Sequence, residues 1–562
     1  MCGFGVVMVI LAVNQERLVS NLRYAFSDQT VVIAELMQNA RRADASNVNI
    51  EFDNCSKTLT VTDNGSGISN FQSLFTLAES GWEDSIQESE HPFGMGFFST
   101  LFSAEEVEVY SFDQFIRFKT KDALAFSSIA VNTIESYELP LNGSKICLIG
   151  IDLTLHEVEM AVKKYAKGFP IQVVLNGVPA VNPDAISDSF LDSAIGKVRL
   201  ARSNHIECYL QGIPVLSTIY CWSDSQKTPT VVHLNSDFKG KMPDRSSLFD
   251  ERVASDRIKN LIRDLWAEKL AILKLQMSAK DFAEEYWTLA REWDLLDVFN
   301  DVPYLPSCLL SVLTDTPVIT NWSYDRALFL VKRSSGVYLK DVLSGSAILF
   351  HGLPDCSDDT HWAAAVMAQH LKWDFIDPCK LPMGHWSFDH LVDLSTMEVE
   401  VDFEPLVNCY LNGVQVCTDV TLCNNYSIKS NAHEVLISDQ SVFLSDRTLL
   451  IPRLTTGDDN SLKQIDCYFY DDKFDEASYD DDLNLLTRLV RAERTKLNGG
   501  SQVETFNDVL NSGNLNAFSA LGNSIFVVKL DAQLQRKTIQ IAPEHLDRFH
   551  QFLDSLTIEV DK

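Results

Sequence analysis

Two side chains in the sequence have the types and the spacing needed to activate water beside a phosphate group. Glu35 and Asn39 lie four residues apart in the segment ELMQNARRADAS, so they share one face of a helix. The Glu35 carboxylate could act as a general base, and the Asn39 amide oxygen is a hard ligand of the kind Mg²⁺ prefers. Alone, this spacing is typical of a solvated helix face, so the prediction depends on the segments that accompany it.

A glycine-rich turn follows the next alternating strand. The strand KTLTVT leads into Asp63, and Gly65 and Gly67 come directly after it. Asp63 could accept a hydrogen bond from an exocyclic amine, and the glycines would let the backbone approach a planar base. A simple turn at the end of a strand would have the same composition.

A second glycine segment, FGMGFFS, precedes a helical run. Gly94, Met95, Gly96 and Phe97 could surround phosphates with backbone N–H groups at the start of that helix. The spacing is neither the GxxxxGK[ST] of a Walker A loop nor a GxGxxG that follows a strand.

Two later segments could complete such a site. Ser144, in GSKI ahead of a strand, could hydrogen-bond a base or an ordered water. The cationic loop DFKGKMPDR carries Lys239, Lys241 and Arg245, any of which could reach a terminal phosphate. The sequence leaves the choice among these three open, and we take Lys241 as the representative candidate. A solvated surface loop would look the same.

Taken in order, ELMQNARRADAS, DNGSGI, FGMGFFS and GSKI resemble the motifs of the GHKL ATPases. This superfamily includes gyrase, the ninety-kilodalton heat-shock chaperone, histidine kinases and MutL. The resemblance covers residues 31–150, and the stretch from TLAESGWEDS to SAEEVEVYS looks most like the chaperone branch. It implies the Bergerat fold, an α/β sandwich with helices on one face of a mostly antiparallel sheet. One position departs, because Arg42 stands where the family often has Asp.

The resemblance implies a role for each of the first candidates. Glu35 takes the position of the catalytic base and Asn39 that of the magnesium ligand. Asp63 takes the position that reads adenine, with support from Gly67. The implied cofactors are ATP and Mg²⁺.

The remaining segments match other parts of the family pattern. Gly94 and Gly96 match the glycines of the phosphate loop, and Ser144 replaces the usual Thr while keeping a hydroxyl. Residues 79–93 match a lid that closes over ATP. Residues 155–300 resemble the transducer domain, which senses the γ-phosphate.

The elements that must position these residues indicate an α/β protein of several domains. The apolar stretch Met1–Val13 predicts a first strand, and 14–45 has helical periodicity. Asn-Gly or Gln-Gly turns predict hairpins in IQVVLNGVPAV, IECYLQGIPVL and NCYLNGVQVCT. The acidic segment 468–482 predicts a solvated loop or linker. We predict four regions: a Bergerat ATP-binding domain at 1–154, an α/β transducer-like domain at 155–300, a mixed α/β domain at 301–483 and a small α/β region at 484–562.

Composition limits the classes of partner. The 562 residues contain 47 basic and 78 acidic side chains, for a formal net charge of −31. A surface of this sign repels phosphate backbones, which disfavours bulk binding of nucleic acid. The 12 cysteines form no CxxC pair, as expected of reduced thiols. No segment has the length and apolarity of a transmembrane helix, so we expect a cytoplasmic protein with no membrane partner.

The sequence therefore predicts Mg²⁺-dependent ATP hydrolysis coupled to a conformational clamp. We expect a nucleotide-dependent homodimer, a chaperone-like action on protein clients, and a role in bacterial stress or phage defence. The alternative is a DNA-associated ATPase clamp similar to MutL or the MORC proteins, which would need a basic surface in 155–300. A degenerate nucleotide-binding scaffold is a third reading, and the intact Glu35 argues against it.

Overall fold

The structure is a computed structural model of the chain. It describes residues 14–22, 28–76, 96–134, 143–217, 228–241, 247–314, 330–352, 362–455, 462–465, 475–512, 518–531 and 535–556, with the single residues 10, 24, 82, 468 and 533. Apart from residues 10 and 82, the predicted first strand at 1–13 and the predicted lid at 79–93 lie outside the described residues.

The described residues form a mixed α/β structure with several separate sheets, as the sequence predicts. The helices are α1 Gln15–Leu22, α2 Val31–Arg42, α3 Phe98–Ser103, α4 Thr120–Leu124, α5 Leu155–Ala166, α6 Glu251–Gln276, α7 Ala279–Glu292, α8 Leu339–Leu343, α9 Trp362–His370, α10 Glu476–Leu497, α11 Val503–Ser512 and α12 Leu546–Ser555.

The strands of the N-terminal part are β1 Asn47–Asp53, β2 Thr58–Asp63, β3 Glu106–Ser111, β4 Gln114–Lys119, β5 Val131–Thr133, β6 Ser144–Ile149, β7 Gln172–Leu175, β8 Val178–Pro179, β9 Leu191–Ser193, β10 Gly196–Arg199, β11 Ile206–Leu210, β12 Ile213–Ser217 and β13 Thr230–Leu234. Those of the C-terminal part are β14 Tyr304–Leu305, β15 Leu310–Leu313, β16 Leu330–Lys332, β17 Val337–Tyr338, β18 Leu349–His351, β19 Asp374–Ile376, β20 Leu391–Asp393, β21 Glu400–Asn412, β22 Cys417–Lys429, β23 Glu434–Ile437, β24 Val442–Phe443, β25 Thr448–Pro452, β26 Phe526–Leu530 and β27 Arg536–Gln540.

The first sheet has the strand order β5-β4-β3-β6-β2-β1-β7-β8 and is antiparallel except at β1 and β7. Period-two alternation in β1 buries Val48, Ile50 and Phe52 on one face. The apolar side chains of α2, among them Ile33 and Met37, lie in the same core cluster. This is the helix-on-sheet layering that the sequence predicts for the ATP-binding domain.

The first sheet continues beyond residue 154, where we placed the end of that domain. A capping box at Thr154 and Glu157 starts α5, with the Thr154 N–H 2.7 Å from Glu157 Oε2. After α5 the chain adds β7 parallel to β1, and β8 pairs with β7 around the predicted Asn-Gly turn. The sheet that carries the candidate site therefore includes residues up to Pro179.

A second sheet, with the order β12-β11-β13-β10-β9, is followed by the long helix α6. Next to it Asp184, which is 3% exposed, accepts hydrogen bonds from Arg199 Nη2 (2.5 Å) and the Tyr209 hydroxyl (2.9 Å) and pairs with Lys167 (3.3 Å). Burial acts to raise the pKa of Asp184, but these donors outweigh it and hold that pKa below its ordinary value. The buried Asp184 carboxylate is thus neutralised by its two cationic neighbours, Lys167 and Arg199.

The C-terminal part has its own core. One sheet has the order β16-β15-β19-β18-β20, and another has β21-β22-β25-β24 with β23 beside β22. Helix α9 is buried along most of its length, and Trp362 and Leu422 belong to the same core cluster. The predicted hairpin at 408–418 is confirmed as the turn between β21 and β22.

By its internal contacts the chain divides into two units. The first comprises Met1–Ala271 and Leu289–Leu295, and the second comprises Ile272–Thr288 and Leu296–Lys562. The four domains predicted from the sequence stay a prediction. Every described candidate site residue belongs to the first unit.

Candidate functional site

Helix α2 presents the candidate base and the candidate metal ligand. Asp28 precedes the helix and accepts hydrogen bonds from the Thr30 N–H (2.9 Å) and the Thr30 hydroxyl (2.8 Å). Glu35 is only 5% exposed, whereas Asn39, one turn later, is partly exposed. The helix therefore holds the carboxylate in a sheltered position and leaves the amide accessible to a ligand.

Gly96 lies directly against the Glu35 carboxylate. A Cβ atom built on Gly96 would stand 2.3 Å from Glu35 Oε2, so a larger residue here would require the carboxylate to move. The Ser99 hydroxyl donates to the Gly96 carbonyl (2.6 Å) and thereby fixes the start of α3. The structure thus brings the second glycine of that segment, Gly96, to the candidate base. Phe97 is buried beside Gly96, and Gly94 and Met95 lie outside the described residues.

The end of β2 orients the Asp63 carboxylate with two donors. Asp63 is 8% exposed, and its Oδ1 accepts a hydrogen bond from the Gly65 N–H at 2.8 Å. Its Oδ2 accepts the Ser144 hydroxyl at 2.5 Å, because β6 pairs with β2 in the register that sets Ser144 opposite Asp63. Ser144 therefore donates to the Asp63 carboxylate and helps to orient it.

Ser111 is a site residue that sequence reasoning missed. It ends β3 opposite Ser144, and its hydroxyl donates to the Gly143 carbonyl (2.9 Å) and accepts the Ile68 N–H (2.8 Å). Gly67 has a φ of +73°, and a Cβ there would stand 2.8 Å from the Ser111 hydroxyl. The sequence carried no direct signal for Ser111, because β6 pairs with β2, and β3 with β6, only in the folded sheet.

The turn after Asp63 is joined to the end of α2. The Ser66 N–H donates to the Ala43 carbonyl at 2.7 Å, and Asn64 Oδ1 accepts the N–H groups of Ser46 (2.9 Å) and Asn47 (3.0 Å). These contacts tie the segment that carries Asp63 to the helix that carries Glu35. Hydrogen bonds therefore connect the two halves of the candidate site directly.

The cationic loop is described only in part. Lys239 and Lys241 are exposed on a short antiparallel bridge between Gly240 and Leu248, and Arg245 lies outside the described residues. Within the described part of the chain, neither ammonium group forms an ion pair or hydrogen bond. The structure thus leaves the assignment of Lys241 as a phosphate contact untested.

The donor set fits magnesium delivered with a nucleotide. Across the described residues there is no group of three or more His, Cys, Asp or Glu side chains that could enclose a metal ion. A single amide oxygen at Asn39 is a hard donor, and Mg²⁺ usually keeps waters and substrate phosphates as its other ligands. Asn39 also accepts a hydrogen bond from Arg42 Nη1 at 3.4 Å.

Comparison with known families agrees with this geometry. Residues 27–141 match the family model described as histidine kinase-, DNA gyrase B- and HSP90-like ATPase. This segment, about a fifth of the 562 residues, is therefore a GHKL ATPase domain. A search of the curated proteins finds no match to the chain. None of the described helices is long and apolar enough to cross a bilayer.

Proposed function

We propose that the protein is a cytoplasmic, Mg²⁺-dependent ATPase that hydrolyses ATP to ADP and phosphate. The observation that carries this proposal is the contact between Glu35 and Gly96, which sets a sheltered carboxylate against one glycine of the segment expected to hold phosphates. A general base so placed suits the activation of a water molecule beside a terminal phosphate. The GHKL assignment of the segment supports the same reaction.

Each described residue has a defined part in this proposal. The Asp63 carboxylate, held by Ser144 and Gly65, accepts a hydrogen bond from the exocyclic amine of adenine. Bound Mg²⁺ would neutralise phosphate charge, and Asn39 would supply its protein ligand. Glu35 would take a proton from the attacking water.

Two substitutions test the proposal. Glu35→Ala should abolish ATP hydrolysis, a loss of at least about 100-fold, and retain nucleotide binding. Asp63→Asn should lose ATP binding, because the amide it introduces offers a donor where adenine needs an acceptor. Calorimetry with a non-hydrolysable ATP analogue and a phosphate-release assay give the two readouts. An active Glu35→Ala protein would overturn the assignment of the base.

We further propose that ATP drives a chaperone-like clamp, a nucleotide-dependent homodimer that acts on protein clients. The support is the GHKL domain together with the net charge of −31, which favours proteins over nucleic acid as partners. Light scattering should give a larger mass with a non-hydrolysable ATP analogue than without it. An unchanged mass would exclude the clamp. A pulldown with the Glu35→Ala protein, loaded with ATP, should retain the client and reveal whether it serves stress tolerance or phage defence.

The alternative, a DNA-associated clamp similar to MutL or the MORC proteins, needs free cations in the transducer-like domain. In the cluster KVRLAR, Lys197 pairs with Asp192 at 2.8 Å and Arg199 with Asp184 at 2.5 Å. Arg257 of α6 pairs with Asp237 at 3.0 Å. These pairs reduce the positive charge available to phosphates. Fluorescence anisotropy with duplex DNA at low salt separates the two functions, since salt-sensitive binding would favour the DNA clamp.

A further inference from the structure

Arg42 connects the candidate magnesium ligand to the second sheet. Its guanidinium, in a residue only 6% exposed, donates to three amide oxygens: Asn39 Oδ1 at 3.4 Å, Gln38 Oε1 at 3.3 Å and Gln211 Oε1 at 3.4 Å. All three distances are at the long end of the hydrogen-bond range. A charge shared in this way can redistribute among its acceptors.

The third acceptor is placed there by an unusual turn. Gln211 and Gly212 join β11 to β12 with φ values of +56° and +82°, the signs of a type I′ turn. Asn or Gly is the favoured first residue of such a turn, and Gln has no short side chain to offset the left-handed backbone. The longer Gln211 side chain reaches Arg42, 169 residues away in sequence.

The tip of this hairpin is embedded in the ATPase domain. Ile213 is 4% exposed and belongs to the core cluster of the first sheet. A Cβ on Gly212 would stand 2.7 Å from Pro170 Cδ, so the turn also packs closely on the segment after α5. The contact between Arg42 and Gln211 therefore links helix α2 to the β11–β12 hairpin. This hairpin belongs to the second sheet, and its tip packs in the core of the first.

We infer that Arg42 and Gln211 couple Mg²⁺·nucleotide binding at Asn39 to the β11–β12 hairpin. The inference rests on the proposed function, in which Asn39 is the magnesium ligand. A guanidinium and Mg²⁺ are both cations directed at Asn39 Oδ1, so they repel each other. Bound Mg²⁺ shifts Arg42 towards Gln211, and a hairpin that holds Arg42 favours Mg²⁺. Because coupling free energy is reciprocal, each site strengthens the other.

Gln211→Asn is the decisive variant. Asn suits the first position of a type I′ turn but its side chain is one methylene shorter, so the turn is kept while the contact with Arg42 is lost. Arg42 then keeps its contact with Asn39, and we expect the Mg²⁺ concentration for half-maximal binding of a non-hydrolysable ATP analogue to rise about fivefold. Arg42→Gln removes the competing charge, and we expect that concentration to fall about fivefold.

The double variant distinguishes coupling from two separate effects. With no guanidinium present, Gln211→Asn has nothing to release, so the double variant should match Arg42→Gln alone. Calorimetric Mg²⁺ titrations in the presence of the ATP analogue give the midpoint for the wild type, the two single variants and the double variant. Equal midpoints for wild type and Gln211→Asn, or additive effects in the double variant, would overturn the inference. If the wild-type protein bound no nucleotide at all, the proposed function itself would fail.

Hydrogen exchange supplies a readout independent of binding. Mg²⁺ with the analogue should slow exchange of the backbone amides in β11 and β12 in the wild-type protein and have no such effect in Arg42→Gln. The β7–β8 hairpin is a matched control, since Asn176 and Gly177 form its turn with φ values of +47° and +79°, and Asn176 Oδ1 accepts the Phe52 N–H at 2.8 Å. Equal slowing of β11 and β12 in wild type and Arg42→Gln would contradict the coupling.

Discussion

At the scale of single residues, the closest approach in the candidate site is that of Gly96 to Glu35. We expect Gly96→Ala to displace the carboxylate and lower kcat at least about 100-fold, the range of a general base, while nucleotide binding persists. A phosphate-release assay measures the loss. Ser99→Ala is the matched control, because it removes the hydrogen bond to the Gly96 carbonyl without filling the space beside Glu35. A Gly96→Ala protein with more than half the wild-type kcat would contradict this arrangement.

The hydroxyl of Ser144 offers a second test at this scale. Ser144→Ala removes the donor to Asp63 Oδ2, and one hydrogen bond of about 1 kcal/mol corresponds to an approximately fivefold weaker affinity for ATP. Ser144→Thr keeps the hydroxyl and should restore binding. Nucleotide titration by calorimetry compares the three proteins. Equal affinity in Ser144→Ala would mean that Asp63 needs no support from β6.

Residue types showed much of the site before the fold was known, but not all of it. Glu35 and Asp63 could be chosen because their segments follow one another in the order of the GHKL motifs, although neither segment is specific alone. Ser111 could not, since a serine at the end of a strand has many uses and its partners lie on another strand. Asp482 shows the opposite error: the acidic segment 468–482 was predicted to be solvated, yet Asp482 is buried and accepts the N–H groups of Gln415 (3.1 Å) and Val416 (3.0 Å).

At the scale of elements, local turn chemistry was the most reliable signal. Asn-Gly and Gln-Gly pairs predicted the hairpins β7–β8, β11–β12 and β21–β22, and all are confirmed. Pairing between distant strands had no such signal, because β7 joins β1 in parallel across more than a hundred residues. The extension of the first sheet beyond 154 was missed for that reason.

The capping box before α5 gives a prediction at this scale. Thr154→Ala removes the hydroxyl that accepts the Glu157 N–H, and we expect the free energy of unfolding of the first unit to fall by about 1 kcal/mol. Urea unfolding followed by circular dichroism measures the change. Thr133→Ala, on the exposed strand β5, should have an effect within about 0.5 kcal/mol. Equal effects in the two variants would remove the cap as the cause.

At the scale of the whole molecule, the net charge of −31 and a buried histidine shape the response of stability to pH. Acidification reduces self-repulsion throughout the chain, which stabilises it. His385 opposes this trend in the second unit. It is 1% exposed, its Nδ1 accepts the Ser387 N–H (3.2 Å), and burial lowers its pKa to about 4.

A histidine whose pKa is lower in the folded state makes the folded protein less stable as the pH falls. Between pH 6.5 and about 4 the unfolded chain protonates this histidine and the folded chain does not. The wild-type protein should therefore lose about 2 kcal/mol more than His385→Asn between pH 7 and pH 5. Denaturant unfolding of both proteins at both pH values measures this difference. The effect of the other charged groups is common to the two proteins and cancels. The exposed His545→Asn should behave as the wild type, and an equal loss in His385→Asn would refute the assignment.

The parallel pairing of β7 with β1 has a practical consequence for anyone who isolates the nucleotide-binding domain. A fragment cut at residue 154 would lose α5 and β7, and β1 would become an unprotected edge with a buried, apolar face. Such an edge can pair with strands of other molecules, so the fragment should precipitate during purification. It should do so although it contains all the predicted site residues except Lys241. A fragment that retains residues up to Pro179 keeps that edge covered and gives crystallographers a better starting point.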